Sequence, residues 1–117
     1  MRDFTKYEVW NDAIEIARMI YLVSEQFPSE EKFGLISQIR RSAISISSNI
    51  AEGCSRSSEK DFKRFIEISL GSAFELRSQL IISNKLGYFK ENQESEIYAL
   101  LDKISKQLNS LITKLRA

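Results

Sequence analysis

Histidine is absent from the 117 residues, and cysteine and proline occur once each, as Cys54 and Pro28. Without histidine the commonest general base and metal ligand is missing, and a lone thiol has no imidazole to activate it. A single cysteine cannot staple a fold internally and fits a reducing compartment. The four glycines, Gly34, Gly53, Gly71 and Gly87, are scattered rather than gathered into a phosphate-binding loop. No window approaches the roughly 18 to 20 uninterrupted apolar residues of a membrane span. The charged start (Arg2, Asp3, Lys6) is followed by no signal-peptide core. These absences argue against an enzyme, a metal or cofactor site and a membrane partner, and they predict a cytoplasmic protein. Charge of one sign is lacking too: 17 Lys and Arg against 16 Asp and Glu leave a net +1. Any attraction to nucleic acid must therefore come from local patterning.

Few helix breakers mean few, long elements, and 117 residues fit one domain, residues 1–117, because two cores of half the size would each bury too little apolar surface. From Tyr7 to Phe27 the residues Trp10, Ala13, Ile14, Ala17, Ile20 and Tyr21 recur at helical spacing, with Val9, Ile16 and Val23 widening the stripe. Pro28 predicts the stop, and Ser29 followed by Glu30 and Glu31 suits a new start. A second helix is expected from about Phe33 to about Glu52, with Leu35, Ile39, Ala43, Ile46 and Ile50 facing the core. Beside them runs a polar stripe, Gln38, Ser42, Ser45, Asn49, Glu52 and Arg56, and Gly53 to Ser58 reads as a turn.

Ser58 with Asp61 resembles a weaker capping box for a third helix, Glu59 to Leu86, which Gly87 should end in the left-handed conformation. Its inner stripe is Phe62, Phe65, Ile66, Ser69, Ala73, Leu76 and Leu80. A second apolar line, Leu70, Phe74 and Ile81, is rotated by about a quarter turn and exceeds what a small bundle buries, which predicts contact with another subunit. In the last segment Ile97, Leu101, Ile104, Leu108, Leu111 and Leu115 follow a heptad seam. With short connections and no strand signal, the fold class is all-α, an antiparallel up-down-up-down four-helix bundle. Small residues on the facing stripes of the middle helices allow close approach.

The run Gly34-Leu35-Ile36-Ser37-Gln38-Ile39-Arg40-Arg41-Ser42-Ala43, then Ser45-Ile46 and Asn49-Ile50-Ala51-Glu52-Gly53, carries a resemblance. So do Val9-Trp10, Phe27-Pro28, Phe62-Lys63-Arg64-Phe65, Gly71-Ser72, Glu75-Leu76 and Leu86-Gly87-Tyr88. Together they resemble the four-helix bundle proteins encoded by intervening sequences of bacterial 23S ribosomal RNA genes. The resemblance implies a ring-shaped homopentamer and a link to accessory proteins of diversity-generating retroelements, which are associated with nucleic acid. Ser47 stands where the family commonly has proline, so the second helix is expected to run straighter.

Between Arg40 and Arg64 lie six basic residues (Arg40, Arg41, Arg56, Lys60, Lys63, Arg64) against three acidic ones (Glu52, Glu59, Asp61). Guanidinium forks suit phosphate oxygens, and repetition around a ring would multiply a modest excess. These six are the candidate nucleic-acid-binding residues, for RNA or DNA backbone, in a non-catalytic accessory protein. The bland reading is that they are solvated or paired, with Glu59 and Lys63 an ordinary four-spaced ion pair. Gln38, Asn49 and Glu52 are a candidate structural polar cluster, with Arg41 and Arg56 as partners. Cys54, beside Arg56, is a candidate for a lowered thiol pKa, against the simpler reading of an incidental cysteine. A protein-interaction scaffold that binds a protein partner and no nucleic acid is the alternative function.

Overall fold

The four apolar repeats become four helices in the computed structural model, which describes residues 1–90 and 92–115. They are α1 (Glu8–Ser24), α2 (Leu35–Cys54), α3 (Glu59–Lys85) and α4 (Gln93–Lys114), with single 3-10 turns at Phe4–Lys6 and Ser29–Glu31. No strand occurs among the described residues. α1 packs on α2, α2 on α3, α3 on α4 and α4 back on α1, with no such approach across the diagonals. The result is an antiparallel bundle measuring 44 × 24 × 20 Å.

Helix ends follow local chemistry. The Ser58 hydroxyl accepts the Asp61 amide at 3.1 Å and caps α3, satisfying an amide with no partner inside the helix. At the other end Gly87 has φ +77°, and the Tyr88 amide reaches back to the Ser83 carbonyl at 3.1 Å. This is the left-handed closure expected of a glycine at that place. α1 stops at Ser24, ahead of Pro28 and short of the predicted Phe27. Phe27 is instead drawn into the core, 5.3 Å from Tyr88 and 5.5 Å from Phe89 between ring centres. Ser29 does not start α2. It opens only a 3-10 turn, and the Glu31 carboxylate caps α2 by accepting the Leu35 amide at 3.2 Å. The other Glu31 oxygen accepts the Tyr88 hydroxyl at 2.8 Å, and this bond holds the phenol above its ordinary pKa, with burial adding to it.

The core faces are close to those expected, with three rotations. In α1 the buried line is Val9, Ala13, Ile16, Ile20 and Val23, while Ile14 and Tyr21 lie exposed. The pattern contained two overlapping stripes, and only one of them points at both neighbouring helices. In α2 Ile36 is buried and Leu35 is half-buried, because Ile36 falls on the same helical face as Ile39 and Ala43. In α4 the seam ends on Ile112, with Leu111 and Leu115 half-buried, because a straight helix drifts from a strict seven-residue repeat. The inner stripe of α3 is buried as predicted from Phe62 to Leu80.

α2 and α3 meet along a seam of small hydroxyl residues. Ser69 Oγ donates to the Ile46 carbonyl at 2.8 Å, the Ser45 and Ser72 hydroxyls bond at 2.8 Å, and Ser42 Oγ donates to Gln79 Oε1 at 2.9 Å. Each buried hydroxyl is thereby satisfied. α2 continues unbroken through Ser47, whose hydroxyl bonds the Ile44 carbonyl at 3.1 Å. Elsewhere ion pairs tie the helices: Arg77 with Asp102 joins α3 to α4, and Lys103 with Glu8 and Asp12 joins α4 to α1.

Gly53 lies where the C-terminal end of α2 crosses the first turns of α3, and a Cβ there would sit 2.9 Å from the Cβ of Phe65. Gly53→Ala should therefore destabilise the protein by about 1–3 kcal/mol through overpacking. Gly71→Ala, at an exposed helical position with nothing within 4 Å, should be neutral or stabilise by about 0.5–1 kcal/mol. Urea midpoints of the two variants, compared with wild type, check the pair.

Candidate nucleic-acid interface

The α2–α3 turn is built from short polar residues. Ser55 Oγ donates to the Glu52 carbonyl at 2.6 Å and the Arg56 amide to the Gly53 carbonyl at 3.1 Å, so the chain reverses within a few residues and α3 begins at once. Four of the six predicted basic residues, Arg56, Lys60, Lys63 and Arg64, lie in this turn or the first two turns of α3. Arg56 and Arg64 share one aromatic ring, each guanidinium 4.7 Å from the centre of Phe65. A ring face attracts cations and holds both side chains in defined places. Arg56 also donates to Glu52 at 3.0 Å. Its Nε is sequestered without a hydrogen-bond partner.

Arg64, Lys60 and Lys63 pair with no carboxylate among the described residues. The expected Glu59–Lys63 ion pair is not formed. A third guanidinium joins this end: Arg2 lies 4.0 Å over the Phe62 ring, and its amide donates to the Cys54 carbonyl at 3.0 Å. Sequence reasoning missed Arg2 because the amino-terminal segment folds back across the end of α2, and no spacing rule signals that return.

Arg40 and Arg41 do not join this group. They lie in the first half of α2, roughly 20 Å along the helix from Cys54 at 1.5 Å per residue. Arg40 is committed to α1: its Nε donates to Ser24 Oγ at 2.8 Å, another nitrogen donates to the Tyr21 carbonyl at 3.2 Å, and it stacks 4.5 Å over the Tyr21 ring. A cation at the C-terminal end of α1 satisfies orphan carbonyls and the helix dipole, so its role is structural. Arg41 is exposed and ion-pairs with no carboxylate among the described residues. The charge excess over 40–64 therefore divides between two places.

The polar trio is likewise spread along α2 rather than clustered. Gln38 meets Gln79 at 3.5 Å, half-buried Asn49 donates to the Ser45 carbonyl at 2.8 Å, and exposed Glu52 binds Arg56. Arg56 is the expected partner of Glu52; Arg41 partners none of the three. On the other side of α3 the second apolar line is exposed in part: Leu70 is half-buried, Phe74 is 65% exposed and Ile81 44% exposed. Among the described residues no group of three or more His, Cys, Asp or Glu is placed to hold a metal, and no helix is long and apolar enough to cross a membrane.

The family model described as 23S rRNA-intervening sequence protein matches residues 5–110. The chain belongs to that family. A solved structure similar to it is that of a protein with unknown function from the S23 ribosomal protein family of Bacteroides thetaiotaomicron VPI-5482. The two are 30% identical with a TM-score of 0.80, and the match covers 89% of this chain and 97% of that one. Among curated proteins none matches the chain. In this member of the 23S rRNA-intervening sequence family, the matched span takes in both basic groups, while Arg2 falls outside it.

Of the two readings of Cys54, the structure speaks against the lowered thiol pKa. Its thiol is buried beneath the amino-terminal segment, and that burial pushes its pKa up, outweighing the opposite pull of Arg2. The reactive form of a thiol is the thiolate. A disulfide reagent such as DTNB should therefore leave Cys54 unmodified in the native protein at neutral pH and modify it fully in denaturant; rapid native reaction would contradict the buried placement.

Proposed function

We propose that this family member is a non-catalytic, cytoplasmic accessory protein that self-associates as a ring-shaped homopentamer and binds the phosphate backbone of RNA or DNA. The observation that carries the reading is the cation group at the α2–α3 turn. Arg56 and Arg64 are fixed against Phe65, Lys60 and Lys63 stand beside them, and of the three carboxylates in the same stretch, Glu52, Glu59 and Asp61, only Glu52 forms an ion pair with any of the four. Side chains held by a ring lose less freedom on meeting a phosphate, and a guanidinium presents a fork that matches its oxygens. Among the described residues no exposed aromatic platform lies beside these cations, which supports recognition of charge and shape over bases. The family's association with rRNA intervening sequences and the repetition of the group in each copy of a ring support it further.

A second reading, a scaffold for a protein partner, is favoured by the exposed Phe74 on α3. Charge reversal separates the two. Lys60→Glu with Arg64→Glu should abolish binding of structured RNA and duplex DNA while leaving helicity intact; a scaffold would keep its protein partner.

For the wild type, the logarithm of affinity should fall linearly with the logarithm of salt concentration, and each phosphate-contacting cation removed should lower the slope by about 1. Absence of binding at low salt, or affinity indifferent to salt, refutes the nucleic-acid reading. Light scattering at micromolar concentration should report about five times the 13.5 kDa subunit mass; a monomer refutes self-association.

A further inference from the structure

We infer that the groove between α1 and α2 of one copy receives Phe74 of a second copy in a head-to-tail contact, a statement that rests on the self-association proposed above. The groove measures about 380 Å³ and is lined by the apolar Tyr21, Phe33, Ile36 and Ile44 together with the cations Lys32, Arg40 and Arg41. Phe33 is 90% exposed and Ile44 43% exposed, so this face is as short of cover as the Phe74 face. An apolar cavity of roughly 150 Å³ already holds a benzene ring. The groove therefore has room for the phenyl ring that projects from α3.

The helix order decides the kind of contact. α1 packs on α2 and α3 on α4, so the groove and the Phe74 face lie on opposite sides of the bundle. A two-fold contact of the Phe74 face with itself would leave the groove of each copy open, whereas a heterologous contact covers both. Height along the bundle also matches. Ser72 bonds Ser45 and Gln79 bonds Ser42, which sets Phe74 level with Ile44 within a copy. Seating Phe74 beside the next copy's Ile44 then requires rotation with little climb, the condition for a closed ring over an open filament.

Charge agrees with that register. Glu75 follows Phe74 and Arg41 precedes the Ile44 turn. Both are exposed, Arg41 in the wall of the groove, and neither has an ion-pair partner among the described residues. The contact sets Glu75 of one copy against Arg41 of the next.

The test is complementation between two variants of the full chain. Phe74→Asp removes the projecting ring and Ile44→Asp spoils the groove; both positions are exposed, so circular dichroism should remain that of wild type. Each variant alone should be monomeric by light scattering, and an equimolar mixture should form a 1:1 dimer, because one intact ring and one intact groove remain. A mixture that stays monomeric, or Ile44→Asp assembling like wild type, overturns the contact. A monomeric wild type would instead sink the self-association reading itself, so the two failures are distinguishable. Should either Asp variant misfold, the charge pair provides the test. Arg41→Glu and Glu75→Arg should each weaken assembly about tenfold and their combination restore it, whereas no restoration overturns the contact.

Discussion

The close approach of α2 and α3 is the constraint on which the rest of the molecule depends. A side-chain hydroxyl of one helix, Ser69, bonds the backbone carbonyl of Ile46 on the other, which requires the two backbones to lie nearer than bulky side chains permit. Serines along the seam and Gly53 at its end provide that room. Once the pair is set, Phe62 and Phe65 are pressed onto the end of α2, and Arg56 and Arg64 find the ring that positions them. The basic surface is thus a product of interior packing. The same approach fixes the register that places Phe74 at the height of Ile44.

The seam also distributes polarity in an unusual way for a small bundle. α1 and α4 are joined through apolar residues and a surface ion cluster around Lys103, while α2 and α3 are joined through satisfied hydroxyls. Hydroxyl contacts add little net stability but penalise any shift that leaves one unpaired. They specify alignment more than they strengthen it, which suits a pair of helices carrying the candidate surface.

Helix number, the third helix with both of its ends, and the fold class were legible because they rest on local chemistry: a serine cap at 58, a glycine at 87, and apolar spacing over many turns. The exposed line through Phe74 was legible for the same reason, as an excess over what one neighbour buries. What was hidden depends on tertiary context. Two overlapping apolar stripes in α1 cannot be ranked without knowing where α2 and α4 lie, so Ile14 and Tyr21 were placed inward. Sequence proximity joined Arg40 and Arg41 to Arg56, though a helix carries them far apart. Arg2 arrives at the candidate surface by a chain reversal with no signature. The Glu31 cap was missed because it comes from a carboxylate four residues ahead, across a turn that is not helical.

Glu31 occupies an unusual position, since its two oxygens serve different parts of the chain: the first amide of α2 and the Tyr88 hydroxyl beyond α3. The carboxylate works as a latch between the α1–α2 corner and the α3–α4 corner, which are far apart in sequence. Fraying at either corner removes a partner from the other, so opening of one loop is coupled to opening of the other.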